Sequence, residues 1–340
     1  MPTWGEILAE LQATPPAQNG ALDFDTVRRK YLARLHDLTG RDTILYSSDW
    51  LTGKPDTSIV LEDMHGLMSA CKGLAGPNLD IILHSPGGSP DATAAIVRYL
   101  RGKYTNIRVF VPLAAMSAAT MWALASNEIW MGKHSQLGPI DPQMGINGGY
   151  YPARAILEQF DRAKRELKAD PSLLSAWLPI LQGYGPSLLE QCEQAEELSK
   201  RLVRDWLRRY MLPPTPGRTA KAARIAAYFA NYERHKSHGM GIGRDAARDR
   251  GVVINDLESN QDLQDAVLSV HHATMLTFQG SAVKIIENHL GVAFVKITQQ
   301  VAIQLRGPGG AQVVLPEGLL INQPGDPTIG TPQDTLAGDG

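Results

Sequence analysis

The sequence predicts an α/β fold organised on a parallel sheet, and three observations carry that prediction. Strand-like and helical stretches alternate from Thr43 to Met131, the pattern of parallel strands joined by crossover helices. Leu79-Asp80-Ile81-Ile82-Leu83-His84 is a nearly continuous apolar run, which suits a strand covered on both faces. Two turns of unusual chemistry, Gly87-Gly88 and Ser117, follow successive strands. They fall on the carboxyl edge of the sheet, where α/β folds place their ligands.

Residues 3–13 and 23–38 have helical spacing. In the second stretch Phe24, Val27, Tyr31, Leu32, Leu35 and Leu38 form the apolar stripe, Asp23 or Asp25 is the cap, and Gly40 ends the helix. Thr43 to Tyr46 reads as a strand. Ser58 to Leu74 reads as a helix with Ile59, Leu61, Met64, Leu67, Met68 and Cys71 inward. After the strand 79–84 come Ser85-Pro86-Gly87-Gly88-Ser89-Pro90 and a helix from Asp91 to Arg101. Arg108 to Val111 is the next strand. It is halted by Pro112 and followed by small residues and a helical pattern through Ala125. Glu128 to Met131 is a further strand.

Beyond it, 153–168 and 172–212 read as mainly helical, with a charged face from Glu190 to Arg209. Residues 212–217 are a proline-rich loop, and 219–232 a helix. His235 to Gly243 is a glycine-rich turn. Arg244 to Asp249 and Val252 to Ile254 follow, and then helices over 261–278 and 282–290. The Gly- and Pro-rich tail from Arg306 is expected to be flexible beyond about residue 320. There is no internal repeat.

Composition narrows the function. The chain has 340 residues, 43% of them hydrophobic, and a formal charge of −2; such a balance offers neither a nucleic-acid-binding surface nor an acidic tail. Cys71 and Cys192 are the whole cysteine complement. They build neither a disulfide framework nor a CxxC metal site, which favours a reducing, cytoplasmic setting. The first residues, MPTWGEILAEL, lack a signal-peptide core. Val109 to Ser126 carries no charge, but Pro112 and the strand-like opening make it a buried strand and helix rather than a membrane span. No membrane association, metal or cofactor is indicated.

Two features carry chemistry. Gly87-Gly88 lies between a strand and a helix, where glycines let backbone N–H groups line a pocket. It is neither a GxGxxG dinucleotide fingerprint nor a P-loop, because no GK[ST] follows. Ser117 stands where a strand becomes a helix, beside N–H groups that the helix leaves unpaired. An oxygen nucleophile next to such donors is the arrangement of acyl-transfer enzymes. The candidate proton acceptors are Lys133, His134, Asp141, Lys164, Lys168, His235 and His238. A base working near neutrality is a His, or a Lys whose burial lowers its pKa. His238, in the turn SHGMGIG, is unsuited to a core. His271, His272 and His289 sit in helical stretches without a metal-ligand set and read as structural.

The SPGGS loop, the stretch PLAAMSAATMWALASNEIWMGKHSQLGPIDPQ and the later SHGMGIGRDAARDRGVVI resemble the serine dehydrogenase proteinase family. That family is a branch of the Clp-protease/crotonase superfamily related to signal peptide peptidase A. The likeness runs over about residues 4–290 and is strongest at 79–145. It implies a Clp/crotonase-like spiral of ββα units over 41–255. A helical extension at 1–40, a helical segment at 256–305 and a flexible tail at 306–340 are added to it.

The resemblance also implies a self-associating serine hydrolase acting on peptides or proteins. Ser117 is its nucleophile, and the N–H groups of Gly88 and Ala118, in the Gly87-Gly88 turn and at the helix start, form the oxyanion hole. The Clp-type histidine expected near Pro139 to Asp141 is missing. The Clp triad Asp falls close to Gly239, next to His238. Signal peptide peptidase A carries a lysine about fifty residues beyond its serine, which is the spacing of Lys168. Two bases follow: Lys168, favoured by spacing alone, or His238 oriented by Asp141. A crotonase-type acyl-CoA enzyme and a non-catalytic oligomeric scaffold are the alternatives. The family's name suggests a dehydrogenase, but no nicotinamide fingerprint is present.

Overall fold

The computed structural model describes residues 3–17, 22–146, 148–298, 303–306 and 312–315. Met1–Ile297 and Thr298–Gly340 form separate units. In the first, α1 (Trp4–Ala13) and α2 (Phe24–Thr39) precede β1 (Asp42–Ser48). Then come α3 (Asp63–Ala70), β2 (Asn78–His84), α4 (Pro90–Lys103), β3 (Asn106–Val111), β4 (Ala114–Ala115), α5 (Ala118–Leu124) and β5 (Glu128–Met131). β6 (Gln136–Leu137) and the hairpin β7 (Gln143–Ile146) and β8 (Gly149–Pro152) lead into α6 (Ala153–Ala169), α7 (Leu174–Gln182), α8 (Leu188–Trp206), α9 (Arg218–Phe229) and α10 (Tyr232–His235). β9 (Ile242–Gly243), α11 (Arg244–Asp249), β10 (Ile254–Asp256), α12 (Gln261–Thr277), β11 (Ala282–Asn288) and β12 (Ala293–Ile297) complete the unit. In the second unit, β13 (Ile303–Arg306) pairs antiparallel with β14 (Gln312–Leu315). The tail expected to be flexible beyond about 320 lies outside the described residues.

The main sheet has the order β10-β5-β3-β2-β1-β11-β12. β10, β5, β3, β2 and β1 pair in parallel, and β11 and β12 join antiparallel at the β1 side. Strand periodicity divides the core into two layers. Leu79, Ile81 and Leu83 of β2 face one side with Ile96, Val109, Trp122 and Phe229. Ile82 faces the other, with Phe110, Leu32, Leu35, Val267 and Val270 of the α2 and α12 layer. Asp80 of β2 is fully buried and held by Arg41 (2.5 Å) and Arg108 (2.6 Å), so its charge is paired where water is absent.

Helix boundaries follow local chemistry. The Asp23 carboxylate accepts from Thr26 N–H at 3.0 Å, and Gly40 closes α2 at φ +62°. The helix expected from Ser58 begins only at Asp63, because Ile59 pairs with Gly88 in an isolated bridge and the Asp63 carboxylate accepts from Val60 N–H at 3.0 Å. The stretch expected as mainly helical over 172–212 holds α7 and α8, with Gly183, Gly185 and Pro186 between them.

One expectation is corrected outright. Of residues 282–290, expected as a helix, 282–288 form β11, buried at every position and paired with both β1 and β12. The run Ala-Val-Lys-Ile-Ile-Glu-Asn fits either period. Its β-branched residues and the open flank of β1 favour the strand.

Candidate active site

Ser117 is presented by a short and heavily constrained segment. β4 lies between β6 and the end of β2. Ser85 N–H donates to Ala114 O at 3.2 Å, and Met116 N–H to Ser85 O at 2.9 Å. α5 then enters the core with every residue buried. Between them Ser117 turns the chain at φ +50° and ψ −121°. For a residue with a side chain this is a strained conformation, and such strain persists where the surroundings impose it. Ser117 is half-buried, and its hydroxyl makes no cap bond to its own helix. Thr120 secures the turn: its hydroxyl donates to Ala115 O at 2.7 Å and accepts from Gly138 N–H at 2.8 Å. Gly138 is needed there, because a Cβ would lie 2.8 Å from Met116 Cε and 3.1 Å from Met116 Cα.

The glycine loop meets this turn directly. A Cβ on Gly87 would lie 2.6 Å from Met116 O, 2.7 Å from Ser117 Cβ and 2.8 Å from Ala118 N. On the loop's other flank, Ile59 N–H donates to Gly87 O at 2.6 Å, and Ser89 N–H donates to Ile59 O at 2.9 Å. In that pairing the N–H of Gly88 points away from Ile59. Gly87 N–H donates to the Ser85 hydroxyl at 3.2 Å. Among the described residues, Gly88 N–H and Ala118 N–H meet no acceptor. Ala118 is the first residue of α5, whose leading N–H groups have no partner within the helix.

His238 and Asp141 meet in a hydrogen bond of 2.9 Å between Nδ1 and Oδ1. The Asp141 side chain is 4% exposed and that of His238 27%. The other Asp141 oxygen accepts from Gln143 Nε2 at 2.7 Å. A carboxylate only accepts, so Nδ1–H is the donor in this bond, and in the neutral imidazole Nε2 is then the acceptor.

The three-stranded sheet β4-β6-β9 brings this pair to the serine's end of the fold. β4 and β6 are parallel, and β9 runs antiparallel to β6. The carboxyl ends of β4 and β6 therefore coincide with the amino end of β9. Ser117 follows β4, Asp141 follows β6 and His238 precedes β9, so all three leave the same edge. Gly241 allows the close passage of the His238 turn, since a Cβ there would overlap the Gln136 side chain.

The other candidates are exposed or already bonded. Lys168 is exposed in the last turn of α6 and makes no hydrogen bond or ion pair among the described residues. α6 starts beside Asp141, where Ala153 N–H donates to Pro142 O at 2.9 Å. At 1.5 Å per residue the helix carries Lys168 roughly 22 Å away along its axis. Lys164 pairs with Asp161 at 3.6 Å on the exposed face, and Lys133 is exposed. His134 bonds to Pro112 O at 2.9 Å, and His235 is buried with its Nε2 2.8 Å from Tyr228 O. His289 stacks on His36 at 3.8 Å. Among the described residues no group of three or more His, Cys, Asp or Glu side chains is placed to hold a metal ion, and no helix is long and apolar enough to cross a membrane.

The sequence gives little signal for His84, which closes β2 just before the glycine loop. It is fully buried, with Nδ1 3.0 Å from Ala114 O. Burial pushes its pKa down to about 4, against the opposing effect of the Ala114 carbonyl. A neutral His84 thus holds the end of β2 to β4, and its position ahead of SPGGS is the one hint the sequence offers.

Residues 58–178 match the family of ClpP-like SDH-type serine proteinases. The matched span holds both the glycine loop and Ser117, and the likeness to serine dehydrogenase proteinases drawn from the sequence is borne out. The SDH-proteinase match also takes in Asp141 and Lys168 and ends before His238. Two uncharacterized proteins of Methanocaldococcus jannaschii are similar to the chain. One is 33% identical over 156 residues, 43% of this chain and 52% of the relative. The other is 34% identical over 133 residues, 37% of this chain and 44% of the relative. The chain thus spans about half the length of the curated relatives it matches. Two mutants of the 1510-N membrane-bound stomatin-specific protease, one in complex with a substrate peptide, are similar solved structures. They are 17% and 18% identical, each with a TM-score of 0.35, over 58% of this chain and 75% and 71% of theirs.

Proposed function

We propose that the chain is a serine peptidase with Ser117 as nucleophile, His238 as general base and Asp141 as the group that orients it. The observation that carries this reading is the His238–Asp141 pair leaving the same sheet edge as the strained Ser117 turn. Ser117 Oγ attacks the peptide carbonyl while its proton passes to His238 Nε2. The N–H groups of Gly88 and Ala118 hold the oxyanion of the tetrahedral intermediate. His238 then protonates the departing amine, and water, deprotonated by the same imidazole, releases the acyl group from Ser117. Preorganised backbone donors supply the electrostatic part, typically 10²–10³ in rate for each donor.

Hydrolysis of a fluorogenic peptide by single variants tests the assignment. Ser117→Ala and His238→Ala each lower turnover by about 10³ or more, whereas Lys168→Ala leaves it within about twofold. Full activity in His238→Ala together with loss in Lys168→Ala would give the proton to the lysine and end this reading. Thioester turnover that survives Ser117→Ala would point instead to enolate chemistry.

The chain is also proposed to self-associate. Tyr151 of the β7–β8 hairpin and Ile180 of α7 are exposed and line one cleft, and Leu173, Leu174 and Leu178 are exposed around α7; contiguous apolar surface marks contact sites. A monomer mass in solution would remove this part.

A further inference from the structure

Behind the glycine loop lies a buried ion pair that the proposed chemistry does not use. Lys284 of β11 and Asp63 at the start of α3 have side chains 0% and 1% exposed. Lys284 Nζ donates to Asp63 Oδ1 at 2.7 Å and Oδ2 at 2.9 Å, and to Ser58 O at 2.7 Å. Asp63 Oδ2 also accepts from the Tyr46 hydroxyl at 2.6 Å and from Val60 N–H at 3.0 Å. The pair therefore grips the backbone on either side of Ile59.

Ile59 in turn grips the loop. Its N–H and C=O bond to Gly87 and Ser89, and a Cβ on Gly88 would lie 2.4 Å from both its N and its O. A buried ion pair adds little net stability over an apolar pair of similar volume. What an apolar pair would not supply is direction: fixed bonds to Ser58 O and Val60 N–H.

We propose that Lys284 and Asp63 are positioning residues that hold segment 58–60, and through Ile59 fix the direction of the Gly88 N–H. The proposal rests on the peptidase reading above and adds the support of its oxyanion hole.

The test combines active-site titration with kinetics. Wild type, Lys284→Met/Asp63→Leu and Tyr46→Phe are labelled to completion with a fluorophosphonate, and peptide turnover is expressed per labelled site. Turnover per labelled site is expected to fall about ten- to hundredfold in the double variant and severalfold in Tyr46→Phe. KM should stay within about twofold, and Ile59 and Ser89 amides should exchange faster with solvent. A purely structural role would lower the fraction of sites labelled and leave turnover per site unchanged. That result in either variant overturns the proposal, and Tyr46→Phe, which removes a single hydroxyl, keeps the test open if the double variant does not fold. Failure of the peptidase reading is distinguishable, because wild type itself would then not be labelled at Ser117.

Discussion

Gly87→Ala is the sharpest perturbation of the proposed site, because the new methyl would press on the nucleophile's own backbone. Its Cβ would stand 2.6 Å from Met116 O, 2.7 Å from Ser117 Cβ and 2.8 Å from Ala118 N. Relief to the 3.4 Å of ordinary contact needs about 0.6–0.8 Å of movement. The atoms that must yield are the nucleophile turn and an oxyanion donor, not the end of a flexible side chain. The native φ of +97° adds strain of about 1–3 kcal/mol for an alanine. For a body of this size that lowers Tm by roughly 2–10 °C, so the variant should fold. A displacement near 1 Å at reacting groups costs up to about 10² in rate, and we expect kcat to fall about 10- to 100-fold at 25 °C. The assay is peptide hydrolysis normalised to folded protein by circular dichroism. A folded Gly87→Ala enzyme with wild-type kcat would refute the claim that the loop and Ser117 act as one unit.

Gly88→Pro deletes the proposed oxyanion N–H and cannot adopt the native φ of +148°, so turnover should drop by at least about 10²; wild-type peptide kinetics would count against the Gly88 donor. Asp141→Asn replaces the carboxylate that accepts from His238 Nδ1, and kcat should fall about 10²–10⁴ with KM nearly unchanged; unchanged kcat would remove Asp141 from the mechanism. Stability should also depend on His84. Its folded pKa of about 4 lies below its ordinary 6.5, so between those values the unfolded chain binds a proton that the native state refuses. As pH falls from about 6.5 to about 4, stability drops by about 3 kcal/mol on this account, and His84 contributes no further loss below that. His271 is pushed down by burial in the same direction. His84→Asn, which keeps a donor for Ala114 O, should show a shallower loss in urea titrations across that range, and an equal slope would contradict the assignment.

The parts legible in the sequence were those with long-range periodicity or strong punctuation. β2 and β3 announced themselves as apolar runs, α2 by Asp23 and Gly40, and the site's carboxyl edge by Gly87-Gly88 and Ser117. What stayed hidden is tertiary. β4, β6 and β9 are two residues each, too short for any pattern, yet they gather Ser117, Asp141 and His238 at one edge. Asp141 and His238 are 97 residues apart in the chain, so no local spacing links them. Spacing alone favours Lys168, and chain distance carries no information on which way α6 runs from its start beside Asp141. β11 was obscured because its run of buried residues fits a helix as well as a strand, and the choice is made by the open flank of β1.

The most direct measurement is the mass of the protein after reaction with a fluorophosphonate, with the adduct mapped by peptide fragmentation. The account predicts one adduct per chain, on Ser117, with labelling slowed strongly in His238→Ala and little changed in Lys168→Ala. No adduct on wild-type Ser117, or equal labelling of Ser117→Ala, would contradict it.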